Sequence, residues 1–228
     1  PIKIKKLAIN KLIMCGIFGV FARDSERYKP KQISSLVNYL GAFSESRGKD
    51  SSGACFISKI KNEVKIVKGN SSISKLQKTE SYNLALNSHL NEFEENDFFS
   101  FFGHTRLVTN GSQLSPNNNQ PVVKDNIVTV HNGIITNTGK LWQKIENKFP
   151  EYQIDTEVLN SYLRNSLDKN ANIIDTFKQM NLDIQGTISS AHFFQDSNDI
   201  FLTTNNGSLY FLTNHKDILV FCSEKNII

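Results

Sequence analysis

The strongest constraint on the fold of this chain is its C-terminal part, where four β-prone runs lie at 187–194, 200–204, 209–212 and 218–222 with only Asn-, Asp- and Gly-rich turns between them. Turns of that length join antiparallel neighbours, because a parallel crossover needs a dozen or more residues. Residues 15–22 predict a buried strand. Runs at 52–57 and 63–67 predict a hairpin turning at Lys61-Asn62. Runs at 98–102 and 106–109 bracket Gly103-His104-Thr105, and a loop follows at 111–119. A strand at 127–130 leads into His131-Asn132-Gly133, which reads as a tight turn because Asn and Gly both tolerate positive φ. Helical spacing of Ile33, Leu36, Val37 and Leu40 predicts a helix opened by Pro30 and stopped by Gly41. Further helices are expected at 137–148, 155–168 and 171–181. Residues 70–97 are polar and predict at most a short surface helix. There is no internal repeat and no linker. Strands and helices in separate blocks favour an antiparallel α+β arrangement over a doubly wound parallel sheet.

Length and composition place few further limits. At 228 residues, 39% hydrophobic and 21% charged, the chain suits one large globular domain or two small ones. Cys15, Cys55 and Cys222 show no CxxC spacing, which argues against a disulfide scaffold or a zinc site and makes a reducing cytoplasm the default. The net charge of +4 suggests a nucleic-acid partner until it is located. Lys3, Lys5, Lys6 and Lys11 sit in residues 1–14, which hold no acidic residue. Without those four of the 26 basic residues, the rest balance the 22 acidic ones. No basic patch with interleaved aromatics remains, so no nucleic-acid partner is expected. The same segment faintly resembles a signal peptide ending at a lipoprotein cysteine. Asn10 and Lys11 interrupt its apolar run, however, and Met14 is larger than such cleavage prefers. No run reaches the roughly eighteen apolar residues of a membrane span.

Met14-Cys15-Gly16-Ile17-Phe18-Gly19-Val20 carries a chemical signal, since a cysteine after methionine can become a mature N-terminus. It then holds a thiol and an α-amine with reference pKa values of about 8.5 and about 8, a nucleophile with its own base. The alternative is that Cys15 simply packs at the start of an apolar strand.

Other segments support the chemical reading. Arg-Gly-Lys-Asp-Ser-Ser-Gly occupies 47–53, Gly-His-Thr-Arg-Leu-Val-Thr-Asn-Gly 103–111, and His-Asn-Gly-Ile-Ile-Thr-Asn 131–137. Asn119-Gln120-Pro121 and Asp155-Thr156-Glu157-Val158 fall in order with them. Together these resemble the class II glutamine amidotransferases, whose glutaminase domain is an N-terminal-nucleophile hydrolase, similar to those of glucosamine-6-phosphate synthase and amidophosphoribosyltransferase. The resemblance implies a four-layer α-β-β-α sandwich with two antiparallel sheets. It implies Cys15 as nucleophile, with Asn132 and Gly133 as the oxyanion-hole pair. Arg106 and Thr109 would bind the α-carboxylate of glutamine, Asp155 its α-ammonium, and Arg47 would lie just behind the nucleophile. A guanidinium suits a carboxylate, and an acid suits an ammonium. Asp155 also reads as an ordinary helix N-cap, and His131-Asn132-Gly133 as a plain turn. His104 is read as structural. The implied partners are L-glutamine and an ammonia-acceptor synthase domain or subunit, with no cofactor, in the cytoplasm.

The family chemistry needs Cys15 first, yet fourteen residues precede it. Residues 1–14 are therefore expected to be a leader, propeptide or upstream sequence ending at an initiator Met14, with the amidotransferase domain at 15–228. Leu107 is more reminiscent of asparagine synthetases, whereas residues 131–137 look more like the sugar and purine-pathway enzymes. An amino-sugar or polysaccharide setting is the leading expectation. Its alternatives are an asparagine-synthetase-like glutaminase half and a non-catalytic glutamine-binding module.

Overall fold

The computed structural model describes residues 15–107 and 114–228. Among them, ten strands form two antiparallel sheets. In chain order the elements are β1 (Gly16–Arg23), α1 (Pro30–Ser44), β2 (Ser51–Ser58), β3 (Glu63–Gly69), α2 (Ile73–Leu76), α3 (Glu80–Asn96), β4 (Phe98–Arg106), β5 (Val122–Lys124) and β6 (Ile127–Ile135). There follow α4 (Thr138–Trp142), α5 (Thr156–Asp168), α6 (Ile173–Asp183), β7 (Gly186–Phe194), β8 (Asp199–Thr204), β9 (Tyr210–Thr213) and β10 (Ile218–Cys222). The larger sheet runs β3-β2-β4-β1-β10-β9 and the smaller β5-β6-β7-β8, so the short turn from β8 to β9 crosses between sheets, and of the C-terminal runs only β7–β8 and β9–β10 are antiparallel neighbours.

Side-chain alternation along the strands builds the layers. In β1, Phe18, Val20 and Ala22 join a core with α1 and α3, while Ile17 faces a second core between the sheets. In β6, Ile127 and Ile135 pack with α5 and α6, while Val128 and Val130 face the inter-sheet core. Three apolar layers thus separate helix, sheet, sheet and helix, the expected α-β-β-α sandwich. Near-continuous burial of β2 follows from its place in the larger sheet, where both faces are covered.

Five local expectations are corrected. α1 continues through Gly41, which is buried; a Cβ there would lie 2.3 Å from Gln77 Nε2, so the missing side chain permits a close packing contact. The polar stretch 70–97 holds α3, a 17-residue helix, capped by the Thr79 hydroxyl accepting from the Tyr82 N–H at 3.3 Å. Its inward face includes His89 and Glu92, whose polarity hides the helix in a hydropathy pattern. Residues 98–106 are one continuous strand, because Gly103-His104-Thr105 pairs with both β1 and β2. His131-Asn132-Gly133 is no turn: β6 runs on to Ile135, paired throughout with β7. The helix expected at 137–148 shrinks to α4.

Candidate active site

Cys15 stands just before β1, and Gly16 pairs with Thr105 of β4, so the thiol emerges beside the end of β4. Its S–H donates to the Leu107 carbonyl at 3.5 Å. Burial pushes the thiol pKa up; the Arg106 cation opposes that, and the Asp155 carboxylate adds to it. Both charges therefore act on the sulfur from nearby.

Arg106 closes β4 and is almost wholly buried. Its guanidinium donates to Asn119 Oδ1 at 2.7 Å, and the same oxygen accepts from the Ser51 hydroxyl at 2.9 Å. The Asn119 amide in turn donates to Asn70 Oδ1 at 2.9 Å. Burial lowers the Arg106 pKa, while Cys15, Asp155 and Asp50 act to raise it. Even lowered, a guanidinium keeps its charge near neutral pH.

Asp155 occupies the N-cap position of α5, but its carboxylate caps nothing there. Instead Asp155 Oδ2 accepts the backbone N–H of Ile135 at 2.9 Å, and Oδ1 lies 3.9 Å from His131 Nδ1. The plain capping role is thereby set aside. The edge of β6 explains the arrangement. β5 pairs no further along β6 than Thr129, leaving the edge beyond it open. There the His131 N–H is taken by Gln120 Oε1, whose amide nitrogen donates back to the His131 carbonyl at 2.9 Å. The Ile135 N–H is taken by Asp155. Strand alternation points the Gly133 N–H to the same edge, between these two.

Gly133 is held at φ +146, where a Cβ would sit 1.8 Å from the Thr187 carbonyl oxygen, so no other residue fits without movement. Its neighbour Asn132 is 1% exposed and, like Val128 and Val130, faces the space between the sheets. Both the nitrogen and the oxygen of its side-chain amide lack a hydrogen-bond partner among the described residues. A buried amide left unpaired costs about 1–3 kcal/mol. An amide retained at that cost is suited to a group that arrives from outside.

Arg47 pairs with Glu224 at 2.9 Å, and its aliphatic stem lies about 3 Å from where a Gly16 Cβ would be. It supports the strand start that carries Cys15. His104 is fully buried, and burial with the Arg106 charge drives its pKa well below the ordinary imidazole range, so it stays neutral. Thr109 lies outside the described residues. Among those residues, no group of three or more His, Cys, Asp and Glu could hold a metal ion, and no helix is long and apolar enough to cross a membrane.

Residues 104–228 match the glutamine amidotransferase domain family. The chain belongs to that family. Its relatives include the isomerizing glutamine–fructose-6-phosphate aminotransferase of Sulfurisphaera tokodaii, 27% identical over 86% of this chain and 31% of the relative. The enzyme of the same name from Helicobacter pylori is 26% identical over 94% of this chain and 33% of the relative. The amidophosphoribosyltransferase of Archaeoglobus fulgidus is 25% identical over 81% and 37%. The chain thus spans about a third of the length of these relatives. Among solved structures, the B. subtilis glutamine phosphoribosylpyrophosphate amidotransferase bound to ADP and GMP superposes with TM-score 0.62 at 20% identity, covering 93% of this chain and 42% of that one. That likeness establishes a shared fold.

Within this glutamine amidotransferase domain, several supporting residues carry no chemical signal of their own in the sequence. Asn119 and Gln120 hold Arg106 and the His131 backbone, and the Asn119-Gln120-Pro121 motif was their visible trace. Lys68 was not visible at all. Its ammonium donates to the carbonyls of Pro116 and Asn119 at 3.1 and 2.8 Å, fixing the loop that holds Arg106, and burial lowers its pKa to about 8. Glu157 accepts the N–H groups of Glu151 and Tyr152 at 2.7 and 3.0 Å and pins the segment leading to Asp155.

Proposed function

We propose that this amidotransferase domain hydrolyses L-glutamine to glutamate through a thioester on Cys15 and passes the ammonia to an acceptor domain or subunit. The observation that carries the reading is the Cys15 thiol set in the fields of both the Arg106 cation and the Asp155 carboxylate. Those charges match the α-carboxylate and α-ammonium of an amino acid whose side-chain amide is presented to the sulfur.

The active form has Cys15 as its first residue. Its α-amine takes the thiol proton as sulfur attacks the carboxamide carbon. Negative charge moves to the carboxamide oxygen, where the Asn132 amide nitrogen and the Gly133 N–H donate to it. Collapse breaks the C–N bond, and ammonia leaves with the proton held by the α-ammonium. Water then attacks the thioester, releasing glutamate and restoring the thiol. Arg106, joined by Thr109, and Asp155 hold the substrate's ends; Arg47 keeps the start of β1 in place. The chain needs no metal or organic cofactor for these steps. Relatives named for amination of fructose 6-phosphate favour an amino-sugar or polysaccharide setting in the cytoplasm, with residues 1–14 lost from the working domain.

The test is release of glutamate and ammonia from L-glutamine by protein started at Met14, with Cys15 verified as first residue by intact mass. Turnover that disappears in Cys15→Ala supports the reading. No turnover from the folded, processed protein, even with candidate acceptor partners added, would overturn it.

A further inference from the structure

At the end of the inter-sheet space away from Cys15, the two sheets leave a pocket of about 340 Å³. β1 and β4 connect the two ends: Cys15 and Arg106 lie at one, Arg23 and Phe98 at the other. Strand alternation turns Phe21, Arg23, Phe98 and Ser100 towards the smaller sheet, on the same face as Ile17 and Phe102 of the inter-sheet core. Phe21, Ile200 and Leu219 give the pocket an apolar floor, and Lys59 and Lys216 add cations to its rim.

Two of those cations share one ring. Arg23 Cζ and Lys59 Nζ lie 4.9 and 5.1 Å from the centroid of Phe98, and neither has a carboxylate within ion-pairing distance among the described residues. Two carboxylates line the pocket, and one of them is engaged elsewhere. Asp217 is held by Arg27 at 3.0 Å, by the Tyr28 hydroxyl at 2.9 Å and by Asn214. Asp199 acts on Lys59 only at longer range: burial lowers the Lys59 pKa, Asp199 opposes that, and the Arg23 charge adds to it. Two neighbouring cations that repel each other gain from a shared anion. Deeper in the pocket, Ser100 is 1% exposed and its hydroxyl has no hydrogen-bond partner among the described residues. A buried donor in a pocket with two cations outside any ion pair among the described residues is a built feature, independent of the charges themselves.

We propose that this pocket binds a small molecule through a phosphoryl group, with Arg23 and Lys59 on the phosphoryl oxygens and the Ser100 hydroxyl donating to one of them. A phosphoryl group brings nearly two charges and three strong acceptors, matching two cations and a hydroxyl better than a carboxylate does. The volume is at the small end for ligand sites and suits a sugar phosphate rather than a nucleotide. The apolar floor covers the ligand's body. This site is separate from the glutamine site and does not depend on its chemistry.

Calorimetric titration with inorganic phosphate, a hexose 6-phosphate and the unphosphorylated hexose tests it, on the whole chain and on Lys59→Met, Arg23→Gln and Ser100→Ala. Saturable binding of a phosphorylated probe is expected, with no binding of the bare hexose and about tenfold weaker binding in either cation variant. Ser100→Ala should weaken binding a few-fold while leaving the circular dichroism and melting temperature of the free protein unchanged. Tighter binding of the hexose phosphate would identify a phosphorylated metabolite. Equal binding of inorganic phosphate would identify the free anion through the same contacts. No saturable binding of either, or binding that both cation variants and Ser100→Ala leave unchanged, would overturn the proposal.

Discussion

Two buried polar groups on the smaller sheet and its helices are treated in opposite ways. Lys124 and Glu157 are both nearly inaccessible and fully wired: their ion pair measures 2.8 Å, Lys124 also reaches Glu151 at 2.7 Å, and Glu157 accepts two backbone N–H groups. Hydrogen bonds to the two glutamates raise the Lys124 pKa in spite of its burial. Asn132, one strand away, is equally buried, and its side-chain amide has no hydrogen-bond partner among the described residues. The first arrangement satisfies every charge because nothing else will reach it. The second leaves donor capacity in reserve. Burial alone therefore does not separate these two polar groups; the state of their hydrogen bonds does.

The contrast can be broken most decisively at the chemistry. Cys15→Ala is expected to abolish glutamate release while leaving the melting temperature unchanged; residual turnover would remove the nucleophile and, with it, the reason for Asn132 to stay unpaired. Next in size, Asn132→Ala should lower kcat about 100- to 1,000-fold without loss of stability, since the variant removes an unpaired buried amide. Glu157→Gln should do the reverse, costing about 3 kcal/mol of stability by leaving Lys124 short of a partner, as read by urea unfolding. If Asn132→Ala destabilised the fold as strongly as Glu157→Gln, the distinction would be lost.

Smaller effects sharpen it further. Asp155→Asn keeps an acceptor for the Ile135 N–H but loses the charge, so the KM for glutamine should rise about tenfold or more with kcat changing less; steady-state kinetics decides this. His192 is buried between the hydroxyls of Thr129 and Ser190, at 2.8 and 2.7 Å, and burial lowers its pKa from 6.5 to about 3. Between those values the unfolded chain takes up a proton that the folded chain refuses. Stability is thus complete above pH 6.5 and falls as the pH drops towards 3. The fall should be shallower in His192→Gln, and an equally steep acid profile in that variant would assign it to other groups.

The motifs were legible because each is contiguous: Met14–Val20, 47–53, 103–111 and 131–137 show their residue types without a fold. The antiparallel hairpins β7–β8 and β9–β10 were legible because their turns are short, but the equally short turn from β8 to β9 crosses between the sheets, which only packing decides. α3 was obscured because its inward face carries His89 and Glu92, whose partners, the Ala85 carbonyl and Ser58, cannot be known before packing. Gly133 was misread because Asn-Gly permits positive φ in a turn and in a strand alike. Only the pairing of β6 with β7 chose the strand.

The sequence by itself determined the chemistry on offer: a cysteine able to carry its own base, a guanidinium, a carboxylate, an Asn-Gly pair, and alternating runs that must form antiparallel layers. Tertiary structure alone decided which of these meet. It set the Asp155 carboxylate on the open edge of β6 instead of on its own helix, gave Arg106 to Asn119, and left the Asn132 side chain without a partner among the described residues. Residue type fixes charge and hydrogen-bonding capacity locally, whereas partners are assigned by contacts between strands and helices far apart in the chain.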